Sequence, residues 1–330
     1  MNAIADFIET LDIGEPSAVE NLKVVPLVMK KVFKPDYLTL DEALEKDYVV
    51  ITEVSESGDV PELRLENRGP KPVFLMDGEE LVGAKQNRIL NISIFAPPKA
   101  TITVPVSCVE AGRWSYRGRE FKSEGRVHYA SGRAAKMAQV SESLHCAEKP
   151  CSDQSAIWHD IRTKASRMQA DSPTEAMSGM FSRKSRELDE FLEGITPLKG
   201  QSGAAFAING RLKGIEVFDS PATLEKLLPK LVGSYALDAI DVGPRPGPVD
   251  IADTLARFLA NVSRARQERY ETTGEGETVR LRGRGIAGGA LLARERVVHL
   301  SAFRAAGAPP RMRPASSRAA RYWRGRDGDE

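Results

Sequence analysis

The sequence predicts an α+β protein: a β-rich, sandwich-like or barrel-like region on the N-terminal side, central helices, and a mixed α/β region on the C-terminal side. Three observations carry this. Between residues 20 and 110, six short runs, mostly rich in β-branched residues, are separated by turn-forming groups. Between 131 and 195, apolar residues recur at helical spacing, and from 200 to 303 strand and helix patterns mix. Elements grouped in that order argue against a doubly wound βαβ sheet, so residues 1–303 are expected to form one α+β domain.

Each element has a local reason. Ile4, Phe7, Ile8 and Leu11 share a helical face that ends before Gly14 and Pro16. Strands are expected at 22–29, 48–54, 62–66, 72–76, 89–95 and 100–106. One helix interrupts them, because Thr39 and Glu42 have the spacing at which two side chains satisfy each other's backbone donors; it should end near Lys46. In the central region Ile157, Trp158, Ile161, Ala165 and Met168 lie on one face behind the capping candidates Ser152 and Asp153. A further helix is expected to start at Ser172, followed by Pro173 and Glu175, and to carry Phe181, Leu188 and Leu192. Asn209-Gly210 tolerates the positive φ angles of a tight hairpin and should join strands at 204–208 and 212–218. Ser220-Pro221 opens a helix that Pro229 should break or kink, and residues 243–248 form a stiff connection. Asp250 can cap a helix bearing Ile251, Leu255, Phe258, Leu259 and Val262, and strands at 278–281, 286–292 and 297–303 close the domain.

Composition narrows the function classes. The chain has 330 residues, 41% hydrophobic, and no apolar run long enough to span a bilayer as a helix, so no membrane partner is expected. The first 20 residues lack the pattern of a secretory leader, which gives a cytoplasmic expectation. Cys108, Cys146 and Cys151 are odd in number and in no zinc-ligand spacing, and the four histidines form no ligand array, so neither disulfides nor a metal are expected. The net charge of +1 hides an asymmetry: from Arg257 onward there are 16 arginines, no lysine and eight acids. Residues 304–330 hold much of that excess with little apolar pattern and read as a disordered tail. With Tyr322 and Trp323, that tail is the one place where nucleic acid is considered as a partner, the alternative being a solvated extension.

Two polar stretches carry the candidate site. The first contains Asp77, Glu79, Glu80, Lys85, Gln86, Asn87 and Arg88 between two apolar runs, with Gly78 and Gly83 allowing close backbone approach to a ligand. The alternative is a solvated loop with local ion pairs. The second leaves a strand and delivers Cys108, Glu110, Arg113 and Trp114, in which Arg113 suits a phosphate or carboxylate and Trp114 a flat ring. The alternative places Arg113 in solvent and Trp114 in the core, and Cys108 reads better as a buried, inert thiol than as a nucleophile.

These strings carry a family resemblance. YLTLDEAL (37–44), VFLMDGEELVGAKQNR (73–88) and VPVSCVEAGRW (104–114), with shorter matches at 140–143, 152–154, 203–207 and 234–238, resemble a bacterial family, the ARG and rhodanese-phosphatase-superfamily-associated protein domain. ARG abbreviates ADP-ribosylglycohydrolase. The resemblance covers about residues 10–303 and implies a role around ADP-ribosylated or NAD-derived molecules, with proteins of ADP-ribosylation systems as partners.

The expectation is therefore a domain that binds, and as an enzyme would process, a phosphorylated nucleotide-like ligand. Processing would be hydrolysis or transfer, with Glu79, Glu80 and Glu110 as the catalytic candidates. Asp77, Lys85, Gln86, Asn87, Arg88, Cys108, Arg113 and Trp114 would bind the ligand. No cofactor is identified. A non-catalytic recognition module is the alternative.

Overall fold

A computed structural model describes residues 2–30, 32–55, 61–147, 149–248 and 250–305. Its N-terminal part runs α1 (Ala3–Glu9), β1 (Leu11–Ile13), β2 (Ser17–Val19), β3 (Leu22–Met29), β4 (Leu38–Thr39), α2 (Leu40–Glu45), β5 (Val49–Glu53) and β6 (Glu62–Asn67). It continues through β7 (Val73–Leu75), β8 (Glu79–Gly83), β9 (Arg88–Leu90), β10 (Ile94–Ala96), β11 (Ala100–Cys108) and β12 (Phe121–Val127). Four helices follow: α3 (Ala130–Ala147), α4 (Gln154–Arg167), α5 (Ser178–Arg183) and α6 (Ser185–Gly194). The last part is β13 (Gln201–Ile208), β14 (Arg211–Phe218), α7 (Pro221–Val242), α8 (Ala252–Ser263), β15 (Arg266–Glu271), β16 (Glu277–Gly283), β17 (Ile286–Ala293) and β18 (Arg296–Arg304).

These elements form an α+β fold with three sheets. The largest has nine strands in the order β1-β3-β13-β14-β18-β17-β16-β15, with β2 also paired to β3, and every pair in it is antiparallel. Alternation along its strands builds two cores. Ala204, Phe206 and Ile208 of β13 face a cluster with α3 and α7, while Ala205 and Ala207 face one with α1 and α8. β13 is therefore buried along its whole length. Each fully buried Leu, Ile or Phe in such a layer contributes roughly 1.5–3 kcal/mol.

The second sheet has the order β12-β8-β9-β11-β6-β5 and a third apolar cluster behind it. Its two edges meet where Thr52 of β5 bridges Glu120, just before β12, so this sheet curls into the barrel-like shape expected of the β-rich region. A small sheet, β10-β7-β4, completes the set, with β4 and β7 parallel.

Local chemistry explains the boundaries. Thr39 and Glu42 form the expected reciprocal cap on α2, and Asp153 caps α4 through the Ala156 N–H at 3.0 Å. Asn209 and Gly210 take φ of 50° and 68° in the β13–β14 hairpin.

Four local readings need correction. Residues 172–177 are not a helix start: Glu175 sits at φ 50°, Ser172 Oγ accepts from the Ala176 N–H, and α5 begins only at Ser178. The Ser-Pro-x-Glu pattern closes a turn here instead. Pro229 does not end α7, which runs 22 residues through it. The single strand expected at 89–95 is two, β9 and β10, in different sheets. Finally, Arg304 is the last residue of β18 and not part of the tail, whose residues 306–330 lie outside the described ones.

Candidate functional site

The polar run from Asp77 to Arg88 is not a solvated loop. Glu79 to Gly83 form β8, Arg88 opens β9, and the two pair with Leu81 opposite Arg88. β9 then pairs with β11, placing Cys108 opposite Arg88, so the two polar stretches are neighbours in space. Gly83 is required at φ 142°, because a Cβ there would lie 2.4 Å from the Glu120 carbonyl oxygen.

Arg113 and Glu110 clamp the β8–β9 turn. The Arg113 guanidinium donates to the carbonyls of Ala84 (2.6 Å), Ser115 (2.8 Å) and Gly83 (3.2 Å), and to Glu110 Oε2 at 2.6 Å. Glu110 also accepts from the Asn87 N–H at 3.1 Å and from Thr174 Oγ1 at 2.6 Å. Burial alone would raise the Glu110 pKa, but these donors hold it below the ordinary glutamate value.

Successive carboxylates on β8 point to opposite sides, as strand geometry requires. Glu79 accepts from Lys230 of α7 at 2.6 Å and from the Met76 N–H at 2.7 Å, and Lys230 also reaches Asp41. Glu80 accepts from Arg126 at 2.7 Å and from Asn87 Nδ2 at 3.4 Å. Burial pushes both carboxyls up, against the pull of their cations.

Behind the hairpin lies a buried chain of polar groups. Lys136 donates to Asp77 and to the Leu90 carbonyl (2.7 Å), and burial pushes its ammonium down to about 8. The Asp77 N–H donates to Ser93 Oγ (3.0 Å), Ser93 bonds His299 Nδ1 (2.8 Å), and His299 Nε2 bonds Glu216 (3.1 Å). Arg133 donates to Glu216 at 2.6 Å and packs so tightly on Gly78 that a Cβ there would lie 2.9 Å from its Nε.

Towards the surface, the Lys85 ammonium stands 5.2 Å from the Trp114 ring and 5.1 Å from the Tyr116 ring, and the Arg88 guanidinium 5.7 Å from Trp114. Arg88 also donates to the Gln86 side chain at 3.0 Å. The Cys108 thiol is buried and pushed up to about 11 by desolvation, which suits an inert thiol.

A separate cavity of about 1120 Å³ opens elsewhere, between α3 and the ends of the large sheet. Its apolar wall includes Ala134, Ala138, Ile208, Ile286 and Phe303. Lys213, Arg282, Arg284 and Arg304 line its strand-end side. On the helix side stand Asp238 and Asp241 near the end of α7, where Ser131, Lys164 and Arg167 donate to them at 2.5–2.7 Å.

With this geometry in view, the comparison with known families is decisive: the model of the ARG and Rhodanese-Phosphatase-superfamily-associated Protein domain matches residues 10–303. The chain belongs to this family. The family name links the domain to ADP-ribosylation-associated systems. No curated protein and no solved structure matches the chain. No helix among the described residues is long and apolar enough to cross a membrane.

In this ARG-associated domain the sequence-derived candidates fall in one place, the β8–β9 hairpin and the end of β11, but none of them lines the large cavity. Asp77, Glu79, Glu80, Gln86, Asn87, Arg88, Cys108, Glu110 and Arg113 are buried, and Lys85 and Trp114 are half-buried. Sequence reasoning missed their partners Lys136, Arg133, Glu216, Lys230 and Arg126. A signal existed for Glu216, a single charge set inside the apolar strand GIEVF. It also missed the cavity, whose lining comes from eight separate elements.

Proposed function

We propose that the domain binds a phosphorylated, nucleotide-like ligand, ADP-ribose or an NAD-derived molecule, in the cavity between α3 and the strand ends. The observation that carries this reading is one hollow of about 1120 Å³ combining an apolar wall with a bank of cations. A flat base fits between the alanines of α3 and the Ile286 and Phe303 side. Phosphates suit Lys213, Arg284 and Arg304, and the acceptors Asp238 and Asp241 suit ribose hydroxyls. The ADP-ribosylation association in the family name supports the same ligand class.

The recognition-module version is favoured by a specific observation: Glu79, Glu80 and Glu110 are each held in a buried ion pair. In this version the β8–β9 hairpin, with Asp77, Gln86, Asn87, Arg88, Cys108 and Arg113, braces the fold, and Lys85 with Trp114 offers a minor aromatic face. The catalytic version seats the ligand instead at the β8–β9 hairpin, since neither Glu79 nor Glu80 lines the cavity, with one of the two as general acid or base. Calorimetry with ADP-ribose, NAD and AMP, followed by product analysis, separates the two. Binding without turnover is the expected result. Turnover abolished by Glu79→Gln or Glu80→Gln, with binding retained, would establish the catalytic version. Ala138→Trp should fill the cavity and abolish binding; unchanged binding would move the site away from it.

A further inference from the structure

We infer that the loop from Trp114 to Arg119, with Lys85 and Lys122 beside it, is a binding surface for single-stranded nucleic acid. This loop joins β11 to β12 and is pinned at three points. The Gly112 N–H donates to the Thr174 carbonyl (2.9 Å), the Arg117 N–H to the Ala84 carbonyl (3.0 Å), and the Arg113 guanidinium to the Ser115 carbonyl (2.8 Å). A face fixed in this way gives up little freedom when it binds.

Two rings and several cations share that face. The Lys85 ammonium lies within reach of both rings, 5.2 Å from Trp114 and 5.1 Å from Tyr116, so one charge orients both. Trp114 is half-buried and Tyr116 is 49% exposed. Arg117 and Arg119 follow in full exposure, and Lys122 stands exposed on β12, whose preceding Phe121 points into the core. Nearby carboxylates leave these cations in excess. Glu53 pairs with Arg88, Glu124 is engaged by Arg126, and Glu175, next to Thr174, is engaged by Arg162. Glu120 is an exposed acid within the row. Among the described residues Arg117, Arg119 and Lys122 make no ion pair with a carboxylate.

The exposure of this face selects its partner. A small ligand settles in a hollow that covers most of it, and a loop standing in solvent covers little. An extended strand instead gains contacts nucleotide by nucleotide: unpaired bases stack on the rings, and phosphates meet Arg117, Arg119 and Lys122. A duplex keeps its bases stacked on one another, away from the rings. This surface shares no residue with the cavity and none with residues 306–330.

The test uses the full chain and a fluorescent single-stranded RNA of about 20 nucleotides, with fluorescence anisotropy as readout at several salt concentrations. The expected result is binding that weakens steeply with salt. The double variant Arg117→Gln, Arg119→Gln should bind about tenfold or more weakly, reduce the slope of log affinity against log salt by about 1.4, and melt at the native temperature because both side chains are exposed. Tyr116→Ala should weaken binding about fivefold or more with the salt slope kept, and Tyr116→Phe should restore it. Ala138→Trp and excess ADP-ribose should both leave RNA binding intact, which separates this surface from the site of the small ligand. Absence of RNA binding, binding indifferent to salt or to these variants, equal binding of a duplex of the same sequence, displacement by ADP-ribose, or binding only to phosphatidylserine vesicles would each overturn the inference.

Discussion

Arg113 shows what a buried charge does in this molecule. Its guanidinium holds three backbone carbonyls and the Glu110 carboxylate at once. Replacing it by alanine leaves Glu110 buried beside Thr174 without a cation, so Arg113→Ala is expected to cost about 3–5 kcal/mol, measurable by urea unfolding. Methionine at the same place should cost a similar amount, because the lost charge, not the lost volume, is what matters. Glu110 also sets a pH dependence. Its folded pKa lies below that of the unfolded chain, so its contribution is complete above the ordinary glutamate value and disappears as pH falls through the lower, folded one. Unfolding curves from pH 6 to 3 should show this slope in the native protein, and Glu110→Gln should flatten it.

At the scale of elements, turns carry the most exacting requirements. Gly210 sits at φ 68°, and a Cβ there would lie 1.9 Å from the Pro248 carbonyl oxygen, so Gly210→Ala must shift the 243–248 connection as well as strain the hairpin. A loss of more than about 1 kcal/mol is expected from thermal unfolding, and Asn209→Gly should also destabilise, because it removes the side-chain hydrogen bonds to the Gly243 carbonyl (2.9 Å) and from the Arg245 N–H (2.8 Å). Thr39→Ala removes one half of the cap on α2 and should cost about 1 kcal/mol.

The same elements show what the sequence made legible. Capping pairs and the Asn-Gly hairpin could be read because their causes lie within four residues. The Ser172 motif misled for a related reason: its N-cap chemistry is real, since Ser172 does accept from a following N–H, but Glu175 adopts a positive φ and the chain turns. β8 was missed because Glu79 and Glu80 look solvated until Lys230 and Arg126, 151 and 46 residues away, supply their counter-charges. Pairings at such separations leave no trace in local spacing. The candidate hairpin could be found from its density of polar groups, but the cavity could not, since its walls meet only after the sheet has formed.

Across the whole molecule, α7 connects the two main sheets. Its Leu and Tyr side chains pack on β13, while Lys230 on the same helix reaches Glu79 in the curled sheet. Neither layer can lose its partner without uncovering apolar surface and unpairing a buried charge, so unfolding is expected as one cooperative step. Trp114 reports on the curled sheet and Trp158 on α4; two variants, each retaining only one of these indoles, should give the same urea midpoint. Separate midpoints would show that the layers melt independently.

The nine-stranded sheet ends on β15, whose sequence RQERYE carries four charges in six residues. Such an outermost strand normally invites a stranger to add itself and begin an open-ended stack. Here an incoming chain would have to strip water from the exposed Arg266, Arg269 and Glu271 before gaining a single ladder bond. The molecule thus carries its own guard against polymerising through that side, and crowding at high concentration should leave it unassociated there.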